Sequence, residues 1–444
     1  MKQVIAADAS PEKRLFISLI TRDIPLVAAF LDLVDNSVNA AVEPAAARLM
    51  TANDYIEIFA DPTVEATVNI ALTVDAKRIE VKDTAGGISA ATARDHVFKF
   101  GRSLAEAHGS DRLSVYGIGL KRAMFKLGNR ISIRSDHVDG GFELKLDVAK
   151  WEKETTLPWT FEITSRDPVD AASTGTSIVV TDLYDETSRR IGDGVFVGEL
   201  RDAISRTYAF YLAKFVSITV NDTPVDGVAI DIGSNHASEQ FAVGDVTCAI
   251  TAGLGVPRAG GFRERTSGWF VFCNGRAVVS ADKSALTGWG GSGLPMFQPK
   301  HRPFLGTVFF VSYDAELLPW NTTKSGLNED SAIWQEAKRY MVSVGRQVVT
   351  FLDGRYTDEG TEIPSKDLQT AAGNRQNIIS AAAPERRAFE APTRPPPVWT
   401  RIQYDAKISD LKLITNYLRK PYMSGADVGR HTFSHFLKNE VGEE

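Results

Sequence analysis

The sequence predicts an α/β protein with several domains, and three observations support this prediction. At 444 residues the chain is long enough for about two to four domains. Residues 30–40 place apolar side chains at spacings of three and four, which is typical of an amphipathic helix. Strand-forming runs recur through the first half of the chain, at 55–60, 68–74, 78–82, 131–135, 142–148, 161–164 and 175–181.

Composition and charge narrow the class of protein. Apolar content of 43% and charged content of 24% are ordinary for a soluble globular chain. The net charge of −6 argues against a surface that binds nucleic acid throughout, although it leaves a local basic groove open. Cys248 and Cys273 form neither a disulfide framework nor a metal cluster, so a cytoplasmic location is expected. No apolar run reaches the length of a membrane span.

The helix over 30–40 is the first candidate for chemistry. Asp32 and Asn36 are four residues apart, so they lie one turn above each other on the same side. A carboxylate and a carboxamide stacked in this way are able to hold a divalent ion and to orient a water molecule. A solvated helix face is the competing interpretation of the same pattern.

The segment 83–89 is a second candidate. Asp83 ends a predicted strand and is followed by Gly86 and Gly87, so the backbone is able to approach a ligand closely. A plain turn is the alternative explanation of this segment. A helix is expected next, near 91–100.

The segment 116–121 is a third candidate, because its glycines lead into a helix over 122–127. The free N–H groups at such a helix start suit a phosphate chain, and Lys121 adds a positive charge. The spacing of the glycines matches neither a Walker P-loop nor a Rossmann fingerprint.

These motifs, taken in order, resemble the GHKL ATPase superfamily of gyrase B, the ninety-kilodalton heat-shock chaperone, histidine kinases, MutL and the MORC proteins. The fourth motif of the set is Gly175-Thr176 on a late strand. The resemblance covers about residues 15–190. It implies the Bergerat fold, an α/β sandwich in which helices lie on one face of a mixed sheet.

The resemblance implies ATP and Mg²⁺ as cofactors and suggests roles for individual residues. Asn36 would coordinate the Mg²⁺ that bridges the phosphates, and Asp83 would accept a hydrogen bond from the adenine amino group. Residues 101–121 resemble the lid over ATP. The residues expected at the nucleotide are Asn36, Asp83, Gly87, Ile88, Ser103, Gly117, Ile118, Gly119, Leu120, Lys121 and Thr176.

The chain departs from the family pattern at two positions. Hydrolytic members carry Glu where this chain has Asp32, which is therefore the candidate general base. Asp is one methylene shorter, so its carboxylate would lie about 1 Å from the best position, a displacement able to cost roughly 100-fold in rate. Ala85 stands where Gly is usual.

The second half of the chain resembles the transducer domain of the gyrase, chaperone, MutL and MORC branch. A helix is expected over 196–215, and a hairpin is predicted around Asn274-Gly275. Further predicted elements are strands at 216–220 and 306–312 and a long helix at 329–352. In the transducer domain a loop lysine contacts the γ-phosphate, and Lys324 is the matching catalytic candidate. The amino-acid sequences of 116–128 and 269–289 most resemble those of MORC-like bacterial proteins.

These elements divide the chain into four predicted parts. An ATP-binding domain is expected over 1–192 and a transducer-like domain over 193–354. Proline- and alanine-rich composition predicts a linker over 355–400. Two amphipathic helices are expected in the tail over 401–444, with one apolar surface.

Two classes of function stay open. The first is an ATP-gated clamp, a homodimer that closes on DNA or on a client protein and opens on slow hydrolysis. The second is a nucleotide-dependent binding module with little or no hydrolysis. A protein histidine kinase is disfavoured, because it would not need Lys324. Neither remaining class requires a membrane.

Overall fold

The computed structural model describes most of the chain and confirms the α/β class, with two sheets and flanking helices. The described residues are 12–46, 52–61, 63–101, 113, 117–154, 159–212, 214–256, 264–291, 293–355, 365–378, 381, 386–391 and 402–442. They form two compact units, which meet in the sequence between Ala391 and Pro392.

Twelve α-helices occur in the described part of the chain. The first eight are α1 (Lys13–Thr21), α2 (Leu26–Ala46), α3 (Ala52–Ala60), α4 (Ala90–Thr92), α5 (Gly119–Leu127), α6 (Val148–Lys153), α7 (Asp185–Gly192) and α8 (Phe196–Thr207). The others are α9 (Ala332–Asp353), α10 (Ser365–Ala372), α11 (Ile408–Tyr417) and α12 (Gly425–Phe436). No helix of the described residues is both long enough and apolar enough to cross a membrane.

The first sheet has eight strands in the order β5-β4-β3-β6-β2-β1-β7-β8. Its strands are β1 (Val68–Val74), β2 (Arg78–Asp83), β3 (Gly128–Asp136), β4 (Phe142–Asp147), β5 (Ile163–Ser165), β6 (Gly175–Leu183), β7 (Val216–Val220) and β8 (Thr223–Val225). The sheet is mixed, because β1 and β7 are parallel and the other neighbours are antiparallel. Burial alternates along β1, so one face of that strand packs against the core.

Helix α2 lies on this sheet through its apolar stripe. Phe30, Leu33, Val34 and Val38 are almost completely buried, as their spacing predicts. The helix packs against α5, α8, β1 and β2. Of its polar residues, Asp32 contacts Arg122 of α5 and Asp35 contacts Arg276 of the hairpin.

The second sheet has six strands in the order β12-β11-β13-β10-β9-β14. Its strands are β9 (Asp231–Val243), β10 (Val246–Gly255), β11 (Gly268–Cys273), β12 (Arg276–Asp282), β13 (Phe304–Ser312) and β14 (Arg375–Asn377). Asn274 and Gly275 join β11 to β12 with φ angles of 47° and 82°. These angles are those of a type I′ turn, so the predicted hairpin is confirmed. Helix α9 packs on β10, β9 and β13.

Three sequence predictions differ from the structure. The predicted strand at 55–60 is wrong, because these residues belong to α3. Ile58 and Phe59 are consecutive and both buried, which a helix end against an aromatic cluster allows and strand alternation does not. The linker predicted over 355–400 contains α10 and β14, and β14 pairs with β9. The helix predicted to reach residue 215 ends at Thr207.

The domain boundary expected at residue 192 precedes two strands that belong to the first sheet. Strands β7 and β8 come from 216–225 and extend that sheet beyond β1. The second sheet begins only at Asp231. The first and second sheets belong to the same compact unit.

The unit from residue 392 onward contains the two helices predicted for the tail, α11 and α12. Val428 and Thr415 are buried within it. Leu413, Phe433 and Phe436 are at least half exposed, so the predicted apolar surface is only partly covered.

Candidate functional site

A cavity of about 610 Å³ opens between α2, the end of β2, α4 and the start of α5. This volume lies in the range of small-molecule sites. Nine of the residues expected at the nucleotide line it: Asn36, Asp83, Gly87, Ile88, Gly117, Gly119, Leu120, Lys121 and Thr176. Asp32, Ile118 and Lys324 are not part of the cavity lining, and Ser103 lies outside the described residues.

Three protein donors hold the side chain of Asp83 in the cavity lining. Its Oδ2 accepts a hydrogen bond from the Ser37 hydroxyl at 2.6 Å. Its Oδ1 accepts from the backbone N–H groups of Ala85 at 2.9 Å and Thr176 at 3.2 Å. Burial raises the pKa of the Asp83 carboxyl, and these three donors oppose that effect. The carboxyl is thus fixed in orientation at one end of the cavity.

Two glycines allow backbone segments to pass close to one another at this end of the cavity. Gly87 has a φ of +71°, and a Cβ there would lie 2.0 Å from the carbonyl oxygen of Asp136. Gly175 has a φ of +150°, and a Cβ there would lie 2.2 Å from the Asp83 carbonyl oxygen. Neither position tolerates a side chain without moving backbone. Between them, the Ser135 hydroxyl accepts from Ile88 N–H at 2.6 Å.

The start of α5 forms the other end of the cavity. Gly117 precedes it with a φ of 60°, and Ile118 occupies the N-cap position without a capping side chain. The start of this nine-residue helix, with its N–H groups and the positive end of its dipole, lies at the cavity. A Cβ at Gly119 would lie 3.6 Å from the Asp32 carboxyl, in ordinary van der Waals contact.

Lys121 lies at this end but its ammonium is bound elsewhere. Its Nζ donates to the carbonyl oxygens of Val97 and Lys99, both at 2.6 Å. The side chain is buried, with the Phe100 ring at 5.6 Å. Lys121 thus fastens the segment after α4 to α5 and also lines the cavity. Sequence spacing alone could not reveal these carbonyl partners.

Asn36 is exposed on α2 and contributes to the cavity wall. Its amide nitrogen donates to the Asp32 carbonyl oxygen at 3.1 Å. The amide oxygen is therefore the atom suited to ligate Mg²⁺, which favours oxygen ligands. Among the described residues no cluster of three His, Cys, Asp or Glu side chains is placed to hold a metal. A Mg²⁺ ion here would take its remaining ligands from phosphates and water, as Mg²⁺ commonly does.

Asp32 is buried one turn before Asn36 and forms an ion pair with Arg122. Arg122 Nε donates to Oδ2 at 2.8 Å, and Nη2 donates to Oδ1 at 2.7 Å. Burial raises the pKa of Asp32 to about 6, although the charges of Arg122 and Lys324 act in the opposite direction. Both carboxylate oxygens thus face a guanidinium and not the cavity.

Lys324 reaches back to α2 and contacts Asp35. Its Nζ donates to Asp35 Oδ2 at 2.8 Å, while Arg276 Nε donates to Oδ1 at 2.8 Å and the Tyr208 hydroxyl to the same oxygen at 2.6 Å. Burial would raise the pKa of Asp35, but the cations Arg276 and Lys324 outweigh it and lower the pKa to about 2. The backbone of Lys324 has a φ of 52°, a conformation uncommon for a residue with a side chain.

Sequence reasoning missed Arg122 and Arg276. Arg122 directly precedes the buried apolar residues 123–125 of α5, and Arg276 directly precedes the buried residues 277–278 of the hairpin. A buried guanidinium needs a carboxylate partner, so two such positions beside a helix with Asp32 and Asp35 were a usable signal. It also missed Asn39, whose Oδ1 accepts from Leu113 N–H at 3.0 Å in the expected lid.

Residues 24–176 match a family model described as histidine kinase-, DNA gyrase B-, and HSP90-like ATPase. The matched segment contains α2, the Asp83 turn, α5 and the first residues of β6. This segment is similar to the ATPase domain of the GHKL superfamily. The search of curated proteins found no match to the chain.

The motifs of the matched segment lie around the cavity. A GHKL domain binds ATP, and the motifs that define it in this chain lie on α2, at the end of β2 and at the start of α5. The GHKL domain is the α/β sandwich that the sequence predicted. Ala85, which departs from the family pattern, contributes its backbone N–H to Asp83 and keeps that contact without a glycine.

Proposed function

We propose that this protein binds ATP with Mg²⁺ in the GHKL cavity and hydrolyses it slowly, in a cycle that changes its conformation or its dimerisation. One observation carries the proposal: the same cavity is bounded by the fixed carboxyl of Asp83 and by the uncapped start of α5. The first suits an adenine amino group, and the second suits phosphates.

Each residue predicted at the nucleotide has a proposed role in this function. Asn36 ligates Mg²⁺ through its amide oxygen, and Gly117, Ile118, Gly119 and Leu120 present backbone to the phosphates. Asp83, with Thr176 beside it, receives the adenine, while Gly87 and Ile88 allow close approach. Ser103 and Lys121 belong to the proposed lid.

The role of Asn36 is tested by nucleotide binding with and without metal. We expect Asn36→Ala to weaken Mg-ATP binding by at least about tenfold and to leave binding in EDTA unchanged, because the lost ligand acts through the metal. Isothermal titration of wild type and variant in both buffers measures this. Wild-type affinity for Mg-ATP in Asn36→Ala would contradict the metal assignment.

The alternative function is a nucleotide-dependent binding module with little or no turnover. The geometry of Asp32 favours it, since both carboxylate oxygens accept from Arg122 and the residue is not in the cavity lining. Asp32 is also shorter than the Glu of hydrolytic relatives. Under this alternative, the protein responds to whether nucleotide is bound in the cavity and not to its hydrolysis.

Steady-state ATP hydrolysis by wild type, Asp32→Asn and Asp32→Glu separates the two functions. A wild type that turns over and an inactive Asp32→Asn variant establish an ATPase with Asp32 as general base. A wild type that binds ATP without turnover, with activity in Asp32→Glu, establishes the binding module. Lys324 is the second proposed catalytic residue, because a transducer lysine would stabilise charge on the γ-phosphate.

The partners follow from the proposed cycle. A clamp of this kind forms an ATP-dependent homodimer and acts on DNA or on a client protein. We propose a MORC-like bacterial protein as the nearest type, on the sequences at 116–128 and 269–289. The region from the second sheet through α9 is the proposed transducer, since it carries Lys324 next to the GHKL domain.

A further inference from the structure

Arg122 lies where three parts of the structure meet. It belongs to α5, is 6% exposed, and holds the Asp32 carboxylate of α2 with two hydrogen bonds. Its remaining nitrogen, Nη1, donates to the Thr322 carbonyl oxygen at 3.2 Å. One guanidinium therefore joins the cavity helix α5, the helix α2 and a segment that follows the second sheet.

The segment around Thr322 is a closed turn, here called the lysine loop and defined as residues 320–327. Trp320 and Leu327 form a β-bridge at its base. Asn321 ties it internally, since its backbone N–H donates to Gly326 O at 2.9 Å and its carbonyl accepts from Lys324 N–H at 2.9 Å. Because these hydrogen bonds and the bridge hold the turn together, we expect a shift of the Thr322 backbone to displace Lys324 as well.

The backbone of Arg122 belongs to the same first turn of α5 as residues that line the cavity. Gly119 and Leu120 line the cavity within the first turn of α5. The backbone N–H of Arg122 donates to Ile118 O at 2.8 Å and closes that turn. A phosphate bound at the start of α5 therefore acts on the same helical turn that holds Arg122.

We propose that Arg122 is a positioning residue that fixes the Asp32 carboxylate and couples the phosphate end of the cavity to the lysine loop. This inference rests on the proposed binding of ATP in the GHKL cavity. Arg122 does not line the cavity, and it acts through Asp32 and Thr322. Lysine cannot replace it, because only a guanidinium presents donors in a fixed fork to both carboxylate oxygens and to a third acceptor.

Trp320 provides a readout within the lysine loop. The indole is 3% exposed, and Lys324 Nζ lies 5.8 Å from the ring centroid. Fluorine NMR of protein labelled with 5-fluorotryptophan reports each indole separately, and Trp320→Phe assigns the signal. The measurement compares protein alone with protein saturated by Mg²⁺ and the β,γ-imido analogue of ATP, so it does not depend on hydrolysis.

The decisive variant is Arg122→Lys, which keeps the charge and loses the fork. Arg189→Lys is the matched control, since Arg189 is exposed on α7 and donates only to its own helix, at Asp185 O. Arg122→Met, which keeps an unbranched side chain and removes the charge, is the second variant. Calorimetric titration of the same samples measures analogue affinity, and thermal unfolding verifies that each sample is folded.

We expect the analogue to shift the Trp320 signal in wild type and in Arg189→Lys. In Arg122→Lys and Arg122→Met the analogue should still bind, while most of the shift is lost. A full shift in a variant that binds the analogue overturns the coupling, as does a wild type that binds without any shift at Trp320. A wild type that binds no analogue overturns the proposed function itself, and the inference with it.

Discussion

Lys324 Nζ lies 2.8 Å from Asp35 Oδ2, and Asp35 directly precedes the proposed magnesium ligand Asn36. The lysine thus ends one residue away from the cavity wall, on the buried side of α2. Asp35 keeps a second cation, Arg276, on its other oxygen. Because Arg276 remains as a partner, movement of Lys324 would not leave the carboxylate unpaired.

Lys324→Ala should bind ATP normally and turn it over slowly. The side chain does not line the cavity, so ground-state binding keeps its contacts. Loss of one donor to a developing negative charge typically costs on the order of 100- to 1000-fold in rate. Steady-state kinetics with a separate binding titration measure both quantities.

Lys77→Ala is the control for this prediction, since Lys77 is exposed in a turn. Turnover in Lys324→Ala at the wild-type rate would remove the lysine from the reaction and leave it a structural partner of Asp35.

Asp83→Asn should lose the preference for ATP over GTP. The carboxylate accepts from three protein donors, and an amide in its place directs an N–H group toward donors or toward the adenine amino group. We expect the preference to fall by at least about tenfold, the size of one mismatched hydrogen bond at a buried group.

Competition of ATP and GTP against a fluorescent nucleotide measures this preference. Asp75→Asn, in a surface turn where the side chain accepts from Lys77 N–H, serves as the control. An unchanged ratio of the ATP and GTP affinities in Asp83→Asn would mean that the adenine base does not bind at Asp83.

Gly87→Ala should abolish nucleotide binding, whereas Gly86→Ala should not. Both glycines have positive φ, so either alanine costs about 1–2 kcal/mol in backbone strain. Only at Gly87 would the new Cβ lie 2.0 Å from the Asp136 carbonyl oxygen, while at Gly86 nothing lies within 4 Å. The pair thus separates strain from the close approach of backbone at the cavity.

Binding titrations and thermal unfolding of both variants make this comparison. If Gly86→Ala and Gly87→Ala lose binding equally, strain alone explains the effect and the close approach has no role.

The β,γ-imido analogue of ATP with Mg²⁺ should convert the protein from monomer to dimer. The clamp needs this step, because ATP must bring two GHKL domains together before hydrolysis releases them. Sedimentation velocity with and without the analogue measures it, and Asn36→Ala should stay monomeric. A wild-type chain that remains monomeric at saturating analogue contradicts the clamp and leaves the binding module.

The sequence alone determined the local parts of the GHKL domain. The stripe of Phe30, Leu33 and Val38 placed α2 on the core, because period and burial follow from helix geometry. Asp83 before its glycines, and glycines before α5, were readable for the same reason: strand ends and helix starts are short-range features. Nine of the predicted nucleotide residues lie around one cavity.

Only the tertiary structure decided which charges meet. Asp32 and Arg122 are 90 residues apart, and Asp35 and Lys324 are 289 apart, so no local pattern relates them. Lys121 was predicted at the phosphates from its place in a motif, and only the fold shows that its ammonium donates to two carbonyl oxygens after α4. Buried charges take the partners that the fold brings within reach, since desolvation makes an unpaired charge costly.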